Sequence, residues 1–125
     1  MKFFFEFIIN RFIIVFKCFT IYIMKFIDLF AGLGGFHKAL HELGHECVFA
    51  SELGQTLREV YKTNWGLEPK GDIKKIVTNE LDSIPKHDIL CAGFPCQPFS
   101  KAGKQLGRED DRGTLFDEIV KILAY

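Results

Sequence analysis

A short apolar run that stops at glycine limits this chain more than any other feature. Lys25-Phe26-Ile27-Asp28-Leu29-Phe30 is followed by Gly32, Gly34 and Gly35. A run of this length bounded by glycine suits a strand buried in a parallel sheet. Glycine is required where the backbone takes a positive φ or comes close to a ligand. Phe36, Ala39, Leu40 and Leu43 then fall at helical spacing, and Gly44 predicts the helix stop. Strand, glycine loop and helix form the first unit of a nucleotide-cofactor sheet. The dinucleotide fingerprint Gly-x-Gly-x-x-Gly fails, because His37 stands at its third glycine. An adenosyl-type cofactor stays compatible with the loop.

The pattern repeats downstream. Glu46-Cys47-Val48-Phe49-Ala50-Ser51 predicts a second strand with Glu52 at its tip, 20 residues past Gly32. An acidic residue at that spacing accepts hydrogen bonds from a ribose. Leu57, Val60 and Tyr61 share a helical face, and Asn64-Trp65-Gly66 ends that helix. In Gly71-Asp72-Ile73, Asp72 either reaches a purine amino group or caps a turn. Val77 to Leu81 shows little pattern, and Asp82, Ser83 and Pro85 mark a loop. Asp88-Ile89-Leu90-Cys91-Ala92 is the third strand, and it leads into Gly93-Phe94-Pro95-Cys96-Gln97-Pro98-Phe99-Ser100.

Strands alternating with helices predict an α/β fold with a partial, Rossmann-like parallel sheet of about three strands. Ligands of such sheets bind at the carboxyl ends of the strands. Phe30 to Gly35, Glu52 and Cys96 all lie there. Cys96, on a proline-flanked turn at the mouth of the sheet, has the placing of a nucleophile. Lys101 to Gly113 is polar and glycine-rich, as lids and surface loops are. Leu115, Phe116, Ile119, Val120, Ile122 and Leu123 form an apolar helix face.

Charge and cysteine content narrow the classes. Sixteen basic and sixteen acidic residues leave a net charge of zero, without the basic footprint of a nucleic-acid binder. Cys18, Cys47, Cys91 and Cys96 include no Cys-x-x-Cys pair, which argues against a zinc ribbon and fits a reducing, cytoplasmic setting. His41-Glu42-Leu43-Gly44-His45 matches the zinc-hydrolase signature His-Glu-x-x-His. Gly44 falls where the helix should stop, however, and Val48 and Ser51 stand where the extended motif needs glycine and histidine. His37, His41 and His45 are read instead as a solvated helix face, and no metal is expected.

Nine of the fourteen Phe lie within residues 1–30. Lys2, Glu6, Arg11 and Lys17 interrupt this apolar leader, and its longest uncharged run is Cys18 to Met24. A membrane span needs about 18 or more apolar residues, so a membrane-associated small protein is the weaker alternative. Residues 1–23 are expected to be a leader separate from a catalytic part at 24–125, with Met24 the candidate start.

Residues Lys25 to Leu123 resemble the DNA cytosine-5 methyltransferases of the bacterial restriction–modification type. Asp28 to Phe36 is similar to that family's first motif, Ser51-Glu52 to its second and Gly71-Asp72-Ile73 to its third. Gly93 to Ser100 resembles the catalytic motif, and Arg112-Gly113-Thr114-Leu115-Phe116 the one after it. The resemblance implies S-adenosylmethionine as cofactor. Phe30 would stack on its adenine, and the backbone of Gly32, Gly34 and Gly35 would approach the methionine moiety. Glu52 would hold the ribose, Asp72 and Ile73 would contact the adenine, and Pro95 and Leu115 would line the pocket. Cys96 would attack C6 of a cytosine flipped out of double-stranded DNA, since the ring cannot be reached inside the stack. The family's Glu-Asn-Val motif, arginine motif and target-recognition region are not found in these 125 residues. The chain alone is therefore expected to be inactive, either a remnant or a piece completed by a second polypeptide.

Overall fold

The computed structural model describes residues 22–94 and 114–125, together with the strands of an N-terminal hairpin. That hairpin pairs β1 (Phe4–Ile9) with β2 (Phe12–Lys17) in antiparallel register, Phe4 opposite Lys17 and Ile9 opposite Phe12. The remaining elements run in the order β3 (Lys25–Leu29), α1 (Gly35–Glu42), β4 (Glu46–Ser51), α2 (Gln55–Trp65), α3 (Ile73–Asn79), a 3₁₀ turn (Leu81–Ser83), β5 (Ile89–Ala92) and α4 (Leu115–Ala124).

The three later strands form one sheet in the order β4-β3-β5, parallel throughout. The expected Rossmann-like α/β arrangement is present. From β3 the chain crosses over α1 to one neighbour, then over α2 and α3 to the other. The strand order therefore reverses at β3, and such a switch point opens a crevice at the carboxyl ends. Ser51 also bridges to Lys70 in parallel register, which extends the sheet beyond β4.

Strand β3 is covered on both sides. Ile27 and Leu29 join Phe49, Ile73, Ile76, Val77, Ile84, Ile119 and Ile122 in one core. On the other face Ala31, Ala50 and Tyr61 pack with Trp65 and Leu67. Phe26 meets the His37 ring edge-on at 5.5 Å between centroids. Phe26, Ile27 and Leu29 are each 0 % exposed, and burial of such side chains contributes about 1.5–3 kcal/mol apiece. That is enough to hold Asp28, also fully buried, in a place it would not choose alone.

Helix α1 ends as its glycine predicts. Gly44 has φ 84; its N–H bonds the His41 carbonyl at 2.9 Å, and the His45 N–H reaches back to the Leu40 carbonyl at 3.0 Å. This is the paired hydrogen bonding of a Schellman stop. No atom lies within 4 Å of a Cβ built on Gly44, so only conformation disfavours a side chain there. Gly44→Ala is expected to lower stability by about 1–2 kcal/mol, measured by urea unfolding. An unchanged midpoint would contradict the left-handed stop.

Four expectations need correction. Strand β3 ends at Leu29, and Phe30 turns out of it with φ 56. The stretch starting at Val77 is not patternless: Ile73, Ile76 and Val77 form the buried stripe of α3, and the Lys74 N–H donates to Asp72 Oδ1 at 3.0 Å to cap it. The apolar spacings overstated three helix faces. Phe36 and Leu43 of α1, Leu57 and Val60 of α2, and Phe116, Val120 and Leu123 of α4 are all exposed, while Tyr61, Ile119 and Ile122 are buried. The histidines do not share a solvated face either. His37 is 5 % exposed and is the residue by which α1 packs; His41 is exposed, and His45, off the helix, accepts the Met24 N–H at Nδ1.

Candidate functional site

A cavity of about 290 Å³ opens at the carboxyl ends of the strands. Phe30, Glu52, Asp72, Ile73 and Leu115 line it, coming from four separate elements or turns. The tip of β4 brings Glu52, the start of α3 brings Asp72 and Ile73, and the start of α4 brings Leu115. Ser51, Leu53, Gly71 and Gly93 complete the wall. Ser51, Gly71 and Gly93 belong to the motifs Ser51-Glu52, Gly71-Asp72-Ile73 and Gly93 to Ser100 already singled out. Leu53 belongs to none.

Phe30 occupies the left-handed region without being glycine, a conformation that costs about 1–2 kcal/mol. The Gly93 N–H bonds the Leu29 carbonyl at 3.2 Å, which carries the β3–β5 pairing to the rim of the cavity. Phe30 and Phe94 lie 6.4 Å apart between centroids, and Phe94 and Phe116 lie 6.1 Å apart. The strained turn thus places Phe30 in a row of aromatic rings beside the opening.

Glu52 is fixed by two backbone donors. The Gly32 N–H donates to Oε2 at 2.9 Å, and the Gly54 N–H donates to Oε1 at 2.8 Å. An ionised carboxylate offers about four acceptor directions, so each oxygen keeps capacity for a hydroxyl donor. Glu52 ties the glycine loop after β3 to the start of α2 while facing the cavity.

Behind the loop lies a buried polar cluster that motif reading did not find. The Tyr61 hydroxyl donates to Asp28 Oδ2 at 3.4 Å and sits 2.6 Å from His37 Nδ1. With its proton directed to Asp28, Tyr61 needs His37 to donate from Nδ1. Asp28 Oδ1 has no hydrogen-bond partner among the described residues. Burial pushes the Asp28 carboxyl up to about 6; the Tyr61 hydroxyl and the His37 backbone N–H act against the rise, and the Glu52 charge adds to it. Burial and then nearby His41 push His37 down to about 4. Burial raises the Cys47 thiol to about 11, so it is no thiolate nucleophile. The sequence signal for this cluster was an acid inside an apolar strand.

The glycines divide into two kinds. A Cβ at Gly32 or Gly35 would meet no atom within 4 Å. A Cβ at Gly34, where φ is 87, would overlap the Trp65 indole nitrogen and come within 3.0 Å of Tyr61 Cε2. Gly32, Gly34 and Gly35 do not line the cavity; Gly32 adjoins it through its bond to Glu52, and the steric demand on Gly34 comes from behind the loop. Pro95, Cys96 and the loop from Lys101 to Arg112 lie outside the described residues. Among the described residues no group of three metal-ligating side chains occurs, and no helix is long and apolar enough to cross a membrane.

Sheet order, crossovers and a cavity at the switch point define a Rossmann-like α/β protein. The crystal structure of S. pombe Dnmt2 methyltransferase superposes with a TM-score of 0.62 at 26 % identity, over 81 % of this chain and 32 % of that one. The family model of C-5 cytosine-specific DNA methylases matches residues 24–125, and the chain belongs to that family. It is 57 % identical over 100 residues to the type II methyltransferase M.HhaI of Haemophilus parahaemolyticus, covering 80 % of this chain and 30 % of that protein. It is 52 % identical over 100 residues to M.MspI of Moraxella sp, covering 79 % and 23 %. The chain thus spans less than a third of the length of these relatives.

Proposed function

We propose that residues 24–125 form the cofactor-binding part of a DNA cytosine-5 methyltransferase, with S-adenosylmethionine bound in the cavity at the carboxyl ends of the strands. The observation that carries this reading is Glu52, aimed into the cavity and held by the Gly32 and Gly54 N–H groups. The residues present fit an adenosyl group. Glu52 keeps acceptor capacity for two ribose hydroxyls, Phe30, Ile73 and Leu115 offer apolar contact for a purine, and Asp72 stands beside them. No atom lies within 4 Å of a Cβ built on Gly32, whose N–H reaches Glu52, so that end of the loop leaves room for the methionine portion. S-adenosylmethionine would supply a methyl group activated by its sulfonium charge.

In this reading Cys96 adds as thiolate to C6 of a cytosine flipped out of duplex DNA, which makes C5 nucleophilic. By the family resemblance Pro95, outside the described residues, would line the cofactor pocket. Protonation of the ring and recognition of the DNA sequence belong to segments of the relatives' length that these residues do not span, in this or a second polypeptide. The setting is cytoplasmic.

Calorimetry with the 125-residue chain and S-adenosylmethionine tests the reading. One-site binding is expected, and Glu52→Ala should weaken it by roughly 10- to 100-fold, the effect of losing a charged acceptor. Equal affinity of variant and parent would remove Glu52 from the site.

A further inference from the structure

We propose that Trp65, at the end of α2, is a positioning residue for the glycine loop. It lies outside the cavity and sets the loop from behind. The inference rests on the cofactor reading of that cavity.

One indole makes three contacts with consecutive parts of the chain. Its Nε1–H donates to the Leu33 carbonyl at 3.3 Å. Its edge occupies the space that a Cβ on Gly34 would need. Its face stacks on His37, 4.4 Å between centroids and 19° between planes, in the first turn of α1. Gly34 is the junction between loop and helix: its N–H bonds the Ala31 carbonyl at 2.8 Å, and its carbonyl accepts the Lys38 N–H at 2.9 Å. A ring that fixes Leu33, Gly34 and His37 together fixes the tilt of the loop against α1. Glu52 holds the same loop from the cavity side through Gly32. The loop is therefore gripped at both ends; the sequence singled out Glu52 for the ribose, and its hold on Gly32 is seen only in the structure.

A packing residue would stabilise the whole sheet, whereas a positioning residue acts on the loop. Trp65→Phe separates the two, because it keeps a ring in the stack and loses the N–H to Leu33. Hydrogen exchange is measured on the full chain and the variant, with calorimetry against S-adenosylmethionine. The Gly34 and Lys38 amides should exchange about fivefold faster in the variant, with β3 and β4 unchanged, and affinity should weaken by about fivefold, as for one lost hydrogen bond. Trp65 is the sole tryptophan, so its fluorescence should change during titration of the parent with the calorimetric midpoint.

Unchanged loop exchange in the variant overturns the proposal whatever happens to binding. Equal acceleration through β3 and β4 also overturns it, by making Trp65 a packing residue. Faster loop exchange in a variant whose parent binds no S-adenosylmethionine refutes the cofactor reading instead, and with it any cofactor role for Trp65.

Discussion

Gly34→Ala is expected to lower the unfolding free energy by about 2–5 kcal/mol. Holding alanine in the left-handed region costs about 1–2 kcal/mol, and forcing a methyl into filled space costs about 1–3 kcal/mol more. Both apply, because φ is 87 and the new Cβ would overlap Trp65 and crowd Tyr61. Tyr61 is fully buried and cannot swing away, so the strain passes to the loop. Gly35→Ala provides the contrast. Its φ is not positive, its Cβ would meet open space, and it opens α1, so stability should stay level or rise by about 0.5–1 kcal/mol. Urea unfolding of the two variants side by side decides the matter. A Gly34→Ala chain within about 0.5 kcal/mol of the parent, the range of neutral surface changes, would mean that Trp65 does not press on the loop.

The buried Asp28–Tyr61–His37 cluster leads to an expected absence of pH response that single substitutions should expose. Asp28 titrates at about 6 in the folded chain against an ordinary 3.8. The folded state therefore keeps a proton that the unfolded state releases, and this stability is lost as pH rises through 6. His37 titrates at about 4 against 6.5. There the unfolded state binds the extra proton, and stability is lost as pH falls through 4. Each shift corresponds to about 3 kcal/mol at about 1.4 kcal/mol per unit, with opposite sign over nearly the same window. The two contributions cancel to first order between pH 4 and 6.5.

Asp28→Asn leaves the His37 contribution alone, so stability should climb by about 3 kcal/mol across that window relative to the parent. His37→Gln should make it fall by a similar amount. Other titrating groups drop out of the difference between each variant and the parent. Denaturation at pH 4.5, 5.5 and 6.5 measures both slopes, and a variant profile parallel to the parent's would show that the deleted group does not titrate as its burial implies.

What could be read from the sequence follows from where each residue's signal resides. Strands β3, β4 and β5 announced themselves because apolar runs stop at glycine or acid. Those ends are where the sheet opens, so Phe30 and Glu52 could be grouped by position, whereas Asp72, Ile73 and Leu115, at helix starts, joined them only through the motif resemblance. Helix α3 was missed because seven residues carry one buried stripe, Ile73, Ile76 and Val77, broken by Lys74, Lys75 and Thr78. His37 was misread because a polar residue on a packing face imitates a solvated one, while exposed Phe36 and Leu43 imitate a core stripe. Its burial depends on Tyr61 and Trp65, more than twenty residues away, and no local pattern records that. The demand on Gly34 was visible, but its source was not.

The bridge between Ser51 and Lys70 also bears on self-association. Lys70 turns its N–H to the Ala50 carbonyl, at 2.8 Å, and its carbonyl to the Glu52 N–H, at 2.9 Å. The residue before it, Pro69, is buried, and proline has no N–H to offer a further strand. This margin of the sheet thus ends in a short segment stripped of a donor and flanked by Glu68 and Lys70, the way natural sheets discourage a foreign strand from docking. Among the described residues, strand β4 is thus followed at its margin by a bridge at Lys70 rather than by a full free strand edge.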